Sequence, residues 1–234
     1  MTETFDPREN AKKLAAAAHA KGDAAGWFEQ LYAEANGNNE HIPWADLEPN
    51  KFLVEFAKKT GLTGAGRSAL VIGCGLGDDA KYLHGLGFRV TAFDISETAI
   101  KWAKNLHADT EIHFRTADLF APPAEWQRAF DLVLEVYTIQ PLPLELRERA
   151  IAAIAAFVAP GGRLIVVTRG RADDADPGEL PWPVSRRELA RFQQHGLREI
   201  SFTETLGDED PPVPRFVVEY MKDLSLKSPL IPNA

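Results

Sequence analysis

Cysteine is almost absent from this chain. Cys74 is the single one among 234 residues, which excludes an internal disulfide framework and any multi-cysteine zinc or iron–sulfur site. Long apolar runs are lacking as well. The most alanine-rich stretch, residues 14–18, falls far short of the roughly 20 residues that a membrane-spanning helix needs. Basic residues are in deficit, 26 Lys and Arg against 34 Asp and Glu, for a formal charge of -8. That balance argues against a general nucleic-acid or anionic-membrane binder, whose surface concentrates positive charge. The six histidines fall at no metal-ligand spacing. The opening MTETFDPREN is acidic and polar rather than signal-like, so the expected compartment is the cytoplasm. No nucleic acid, membrane or metal is expected as a partner.

What is present is an ordinary globular mix, 45% apolar and 26% charged. The length suits one substantial core and is short for two domains. Residues 1–60 read as a helical preface, with helix expected over 7–21, 24–36 and 47–59. Asp23 is a candidate N-cap, and Phe52, Leu53 and Phe56 share one face. From residue 61 the pattern changes to short apolar runs alternating with amphipathic helices. Strands are expected at 68–72, 88–93, 111–116, 129–136 and 163–168, with helices after the first, second and fourth, the last of these over 144–158, and a turn at 160–162 leading into the fifth strand. Such alternation predicts an α/β fold: a mostly parallel, doubly wound sheet between helical layers. Residues 171–183 read as a surface loop. Ser185, with Glu188 three residues on, forms a capping box for a helix to about His195. Two β-type runs, 197–205 and 214–220, lie too close for a crossover helix and should pair antiparallel. The expected core thus covers 61–222, and 223–234 read as a loosely held tail.

The sharpest feature is ALVIGCGLGDDA, residues 69–80. An apolar strand runs into Gly73-Cys74-Gly75-Leu76-Gly77, and a helix opens at once. Glycines there let the chain turn tightly and let backbone amides approach a ligand. Asp94 closes the next strand 21 residues after Gly73, where a carboxylate can accept hydrogen bonds from both hydroxyls of a ribose. The loop is also compatible with a purely structural turn. A dinucleotide site is disfavoured: its spacing is G-x-G-x-x-G, and here Asp78 and Asp79 follow the last glycine. Those carboxylates would repel a pyrophosphate but suit a cationic ligand, and they equally suit capping of the helix. Asp118, with Leu119 beside it, stands just past the third strand, where it can meet an adenine amino group. Ile95 is the apolar candidate for the other face of the ring.

At this point the chain resembles the class I S-adenosylmethionine (SAM)-dependent methyltransferases. The likeness is carried by residues 69–100 and by ADLF, FDLVLEVY and VAPGG after them, and covers the whole sheet region. It implies a seven-stranded sheet of order 3-2-1-4-5-7-6 with strand seven antiparallel. It also implies SAM as cofactor and S-adenosylhomocysteine (SAH) as product. Within the family the chain looks most like the thiopurine, thiol and halide methyltransferases. The loop LVIGCGLGDD is similar to theirs, and Val71 stands where many other members carry an acidic residue. Trp27, Tyr32 and Ile42-Pro43-Trp44 resemble the N-terminal segment that closes over cofactor and acceptor in that branch. On this resemblance the cofactor candidates are Trp27, Trp44, Gly73, Cys74, Gly75, Gly77, Asp79, Asp94, Ile95, Asp118, Leu119 and Glu135.

The acceptor is a small molecule on this view, reacting at the end of the fourth strand. Glu135, which interrupts an apolar run, and Tyr137 are the candidate catalytic residues. Glu135 has a solvent-facing strand end as its plain alternative. Arg169 and Trp182 are expected on the same side of the sheet, and Trp102 is expected to pack. Cys74, with no histidine beside it, is expected to pack rather than to attack. The resemblance to that branch implies a thiol or thione acceptor, and a thiol near pKa ~8.5 is already partly ionised at neutral pH and needs no strong base. Oxygen or nitrogen acceptors, or binding of SAM without catalysis, are the alternatives. A monomer or weak homodimer is expected.

Overall fold

A computed structural model describes residues 5–224; all but the first two residues of the expected tail lie outside that range. Helix α1 (Pro7–His19) starts where Asp6 accepts hydrogen bonds from the amides of Arg8 and Glu9, with Pro7 presetting the backbone. Helix α2 (Gly26–Ala35) has Ala25 rather than Asp23 at its N-cap position; Asp23 holds the turn before it, its Oδ1 accepting from the amides of Ala25 and Gly26 at 3.1 and 2.7 Å. Helix α3 (Lys51–Thr60) begins later than its pattern suggested. Pro49 biases the residue before it away from helical geometry, Leu47 has φ 58°, and Asn50 caps the amides of Phe52 and Leu53. Residues 47–50 are therefore an approach to the helix.

The core follows: β1 (Ser68–Ile72), α4 (Asp78–Gly85), β2 (Arg89–Asp94), α5 (Glu97–Leu106), β3 (His113–Thr116), β4 (Phe130–Val136), α6 (Arg147–Phe157) and β5 (Val158–Arg171), with only a 3-10 turn, Ala124–Trp126, between β3 and β4. A two-residue strand β6 (Val184–Ser185), helix α7 (Arg186–Leu189), β7 (Leu197–Leu206) and β8 (Pro214–Lys222) complete it. The sheet order is β3-β2-β1-β4-β5-β8-β7. β1 to β5 run parallel, and β8 is antiparallel to both β5 and β7. This is the expected three-layer Rossmann-like sheet; the short β6, which pairs with Gly170 and Arg171, adds one to the strand count.

Three expected boundaries are corrected. β5 starts at Val158, and Pro160-Gly161-Gly162 falls within a register irregularity between Phe130↔Val158 and Leu132↔Arg163 rather than in a separate turn. Residues Leu144–Leu146, just after Pro143, wind as a 3-10 turn before α6. The Ser185–Glu188 capping box is present, but beyond Leu189 the chain tightens into 3-10 geometry over Ala190–His195 and stops at the left-handed Gly196.

Side-chain alternation along the strands sorts the core into two faces. Leu70, Ile72, Val133, Leu164 and Val166 pack under α6. Ala69, Val71, Leu132, Leu134 and Val167 pack under α3, α4 and α5, whose contributions include Leu53, Phe56, Ala80, Leu83 and Ile100. A third cluster joins Trp27, Leu31 and Tyr32 of α2, together with Ile42, to Leu76 of the glycine loop and Ala99 of α5. The helical preface is thereby fastened to the C-terminal edge of the parallel strands.

A buried ion network fixes the long loop on that same edge. Arg147, 1% exposed, pairs with Glu188 Oε1 at 2.6 Å and donates to the carbonyls of Trp182 and Pro183. Glu188 Oε2 holds Arg171 at 2.7 Å and the Ser185 amide at 2.8 Å. Removing the carboxylate strands a buried guanidinium, so Glu188→Ala should cost about 3–5 kcal/mol of stability. Urea unfolding of the variant measures it, and a loss below about 1 kcal/mol would show that the network carries no such weight.

Candidate functional site

Where β1 ends, the chain doubles back with Gly73 and Gly75 in the left-handed region, φ 57° and 52°. A Cβ on Gly73 would lie 2.6 Å from Thr138 Oγ1, and one on Gly75 would lie 2.8 Å from Tyr32 Oη. Only glycine allows the β4 end and the N-terminal segment to come so close. The amide of Cys74 donates to the carbonyl of Phe93 at 2.9 Å, locking the loop to β2. Burial and the neighbouring Asp94 carboxylate push the Cys74 thiol well above its ordinary range, in keeping with a packing role.

Asp94, at the tip of β2, is 7% exposed. Its Oδ2 accepts from the Gly75 amide and its Oδ1 from the Ser96 amide, both at 2.9 Å. Burial raises its pKa, against the pull of those amides. An ionised carboxylate offers about four acceptor positions, so about two remain for a diol. Ile95 beside it is 36% exposed. The carbonyl of Asp94 accepts from the Ala117 amide at 3.0 Å, which brings Asp118 and the buried Leu119 to the same edge. Asp118 itself bonds the Phe120 amide through Oδ1, at 2.8 Å.

The N-terminal segment lies over this loop. Trp44 Nε1 donates to Tyr32 Oη at 2.9 Å, and Trp27 packs edge-on to Trp44 with ring centroids 6.1 Å apart. Trp27 is buried and its Nε1 has no hydrogen-bond partner, while Trp44 is 41% exposed. Glu29 of α2 accepts from Ser96 Oγ at 2.6 Å and from the Thr98 amide at 3.0 Å, so it helps cap α5. A hollow of about 610 Å³ opens beside the start of α4, between residues such as Leu47, Asp78, Tyr82 and His107; Asp94, Glu135 and Tyr137 do not line it.

At the end of β4 the picture differs from the expectation. Glu135 is buried, with no exposed surface, so it is not the solvent-facing strand end that is its plain alternative. Its Oε1 accepts from the amides of Thr138 and Ile139 at 2.6 and 2.9 Å, and Oε2 has no partner. Burial pushes its pKa up to about 7 against those two bonds. Glu135 is therefore a positioning residue under the turn that follows β4, not a lining acid. Tyr137, held at φ 57°, receives a hydrogen bond from Arg215 Nε to its hydroxyl at 3.0 Å. Asp79 Oδ1 accepts from the Asn50 amide at 2.7 Å, anchoring the approach to α3. Burial raises its pKa to about 6.

The structure thus brings Gly73, Cys74, Gly75, Gly77, Asp94, Ile95, Asp118, Leu119, Trp27 and Trp44 to one end of the sheet, where Glu135 and Asp79 also brace backbone amides. Trp102 packs in the N-terminal cluster as expected. Trp182 stacks on His19 of α1, with centroids 5.9 Å apart. Sequence patterns did not reveal Glu29, Gln140 or Arg215. Gln140 accepts from the Arg169 amide at 3.0 Å through its side chain and from the Trp182 amide at 3.1 Å through its carbonyl, linking three segments. The residues around Asp94 suit an adenosyl ligand: a buried carboxylate with spare acceptors and a glycine cradle that any Cβ would fill. Among the described residues no cluster of three or more metal-ligating side chains occurs, and no helix is long and apolar enough to cross a membrane.

Residues 69–162 match the family described as "Methyltransferase domain". Among curated relatives, the 2-heptyl-1-hydroxyquinolin-4(1H)-one methyltransferase of Mycobacteroides abscessus is 28% identical over 150 residues, 63% of this chain and 64% of that one. A ubiquinone biosynthesis O-methyltransferase of Caulobacter sp. is 37% identical over 110 residues, 45% of this chain and 42% of that one. A thiopurine S-methyltransferase of Vibrio atlanticus is 22% identical over 182 residues, 70% of this chain and 80% of that one. The chain therefore spans less than two thirds of the first two of these relatives. The N-methyltransferase NodS of Bradyrhizobium japonicum, solved with S-adenosyl-L-homocysteine, shares the fold at TM-score 0.64 and 20% identity, over 83% of this chain and 97% of that one.

Two outcomes are expected. Asp94→Asn should weaken SAH binding about tenfold or more, since hydrogen bonds to a charged group are each worth about 1.5–3 kcal/mol. Calorimetric titration checks this, and unchanged affinity would leave Asp94 as a loop brace only. Glu135 titrates near 7 folded but near 4.5 unfolded, so the unfolded chain loses the proton first as pH rises. Stability should fall between pH 4.5 and 7 by about 3 kcal/mol. Glu135→Gln should lack that fall when urea midpoints at pH 5 and pH 8 are compared.

Proposed function

We propose that this chain, whose residues 69–162 form a methyltransferase domain on the class I methyltransferase fold, transfers the methyl group of SAM to a small-molecule acceptor. The observation that carries the proposal is Asp94, buried at the tip of β2 and bonded to the amide of Gly75 in the glycine loop. When bound, SAM supplies a methyl group on a cationic sulfur, which departs as the neutral thioether of SAH once the acceptor has taken the methyl in line.

This chain's residues supply alignment and dryness. Asp94 accepts the ribose hydroxyls. Asp118, Leu119 and Ile95 flank the adenine. Asp78 and Asp79, at the first turn of α4, add negative charge near the cationic end of the ligand. Trp27, Tyr32 and Trp44 cover the loop and exclude water. Orientation of this kind accounts for much of the rate of a displacement between two bound partners.

Two residues at the β4 end bear on the accepting atom. Tyr137 is bonded by a cation, Arg215, and Glu135 is sealed beneath the turn. Neither is free to act as a general base, which favours acceptors that ionise unaided. A thiol or thione sulfur meets that condition, and the distant likeness to a thiopurine S-methyltransferase supports it. An acidic hydroxyl on an aromatic ring is the second candidate, supported by the hydroxyquinolinone and ubiquinone relatives.

SAH release from purified protein, measured with aromatic thiols, thiopurines, phenols, N-hydroxy heterocycles and amines, tests the proposal. Turnover is expected with thiols or thiones. Turnover confined to hydroxyl acceptors would move the accepting atom to oxygen. SAH binding without turnover on any acceptor would point to a binding protein instead.

A further inference from the structure

The ends of β4 and β5 and the start of β8 meet in a group of charged side chains, of which the methyl-transfer proposal uses only the Arg215–Tyr137 bond. Arg169 of β5 and Arg215 of β8 are direct partners in the antiparallel register, which puts their Cβ atoms about 4.5–5.5 Å apart on one face. That face also holds Val167 and Val217. Arg215 reaches Tyr137 through Nε, so the pair stands beside the candidate acceptor position. Burial, followed by the neighbouring charge of Arg215, lowers the pKa of Arg169. Arg8 of α1 is close enough to add to that repulsion.

One carboxylate answers both guanidiniums. Glu209, in the hairpin between β7 and β8, bonds Arg215 and lies 3.6 Å from Arg169 through the same oxygen, Oε1. Gly207 makes room for it, since a Cβ there would collide with the Glu209 carboxylate. The hydrogen bonding is nevertheless incomplete. Arg169 Nε, Thr205 Oγ1 and Glu209 Oε2 are all buried without a hydrogen-bond partner, and Thr205 is the register partner of Arg215. Buried donors of this kind are costly unless something else satisfies them. The arrangement is not sealed: the side chains of Arg169 and Glu209 keep 28% and 29% of their surface open to solvent.

We propose that Arg169 and Arg215 form a carboxylate-binding subsite for the methyl acceptor, and that Glu209 is an internal carboxylate which the acceptor displaces. Two parallel guanidiniums match the planar fork of a carboxylate. Arg169 Nε and Thr205 Oγ1 supply donors that Glu209 leaves unmet. The hairpin then acts as a filter: a neutral acceptor has nothing to exchange for the Glu209 pairing, whereas an anionic one replaces charge with charge. This inference rests on the methyl-transfer proposal for the location of the acceptor, but its binding chemistry can be tested separately.

The experiment titrates benzoate and its neutral analogue benzamide into the whole protein by calorimetry, with and without SAH. Glu209→Gln, at a partly exposed position, should tighten benzoate binding about tenfold while leaving benzamide unchanged. Arg169→Gln and Arg215→Gln should each weaken benzoate about tenfold or more, roughly the loss of one charge-assisted pair. Thermal melts identify any variant that fails to fold, and Glu209→Gln with Arg169→Gln then decides the matter. Equal benzoate affinity in wild type and Glu209→Gln, or no preference for benzoate over benzamide, overturns the subsite. If SAH binds but benzoate shows no preference, the subsite alone falls. If SAH fails to bind while benzoate follows the expected order, the methyl-transfer proposal falls and the anion subsite stands.

Discussion

The carboxylate of Asp94 is the constraint on which this end of the molecule depends. It lies at the tip of β2, bonded to one amide of the glycine loop and one at the start of α5. Two chain reversals, after β1 and after β2, are thereby held to one another by a single charged group. A buried carboxylate is expensive without hydrogen bonds, and the two amides offset that cost in the folded chain. The same group keeps acceptor capacity in reserve, so the feature that shapes the loop also suits it to a ribose.

The N-terminal helices are joined to that constraint rather than added beside it. Glu29 of α2 bonds Ser96 and Thr98 at the head of α5, two residues past Asp94. Tyr32 rests where a side chain on Gly75 would have to be, and the Asn50 amide is taken by Asp79 of α4. Two polar contacts and one close steric fit thus fasten the segment to the glycine loop and its two helices. Its aromatic rings supply the apolar cover. The segment is part of the core packing, as its shared cluster with Leu76 and Ala99 indicates.

The opposite side of the same edge is governed by arginines. Arg147 and Arg171 share Glu188 and tie down the loop through residues 182 and 183. Arg169 and Arg215 share Glu209. Each holds one buried guanidinium Nε without a partner, Arg147 in the first and Arg169 in the second, and they differ in how fully the carboxylate is engaged. The first has a fully engaged carboxylate, each oxygen bonded, and reads as structural. The second leaves Arg169 Nε, Thr205 Oγ1 and Glu209 Oε2 without partners, which is the physical basis for assigning it a ligand. Acidic overall composition and a locally cationic acceptor end are compatible, because net charge describes the whole surface and a pocket is shaped by a few groups.

Much of this was legible in the sequence because it is local. The 69–72 apolar run, the glycines at 73, 75 and 77, Asp94 closing the next strand and the Ser185–Glu188 box each depend on a few neighbouring residues, and the structure contains all of them. The sheet order came from the resemblance together with the short connection before β8, which permits only an antiparallel return. What periodicity could not supply was the partner of each side chain. Glu135 looked like a lining acid because it breaks an apolar run; only the fold shows it buried beneath Thr138 and Ile139. Asp79 serves an amide 29 residues earlier in the chain. Glu29, Gln140 and the Arg169–Arg215 pair carry no sequence pattern, since their partners lie far away along the chain. Strand and helix identity is written in short-range spacing, whereas burial, charge pairing and the direction of a carboxylate are set by which distant segments the tertiary structure brings into contact.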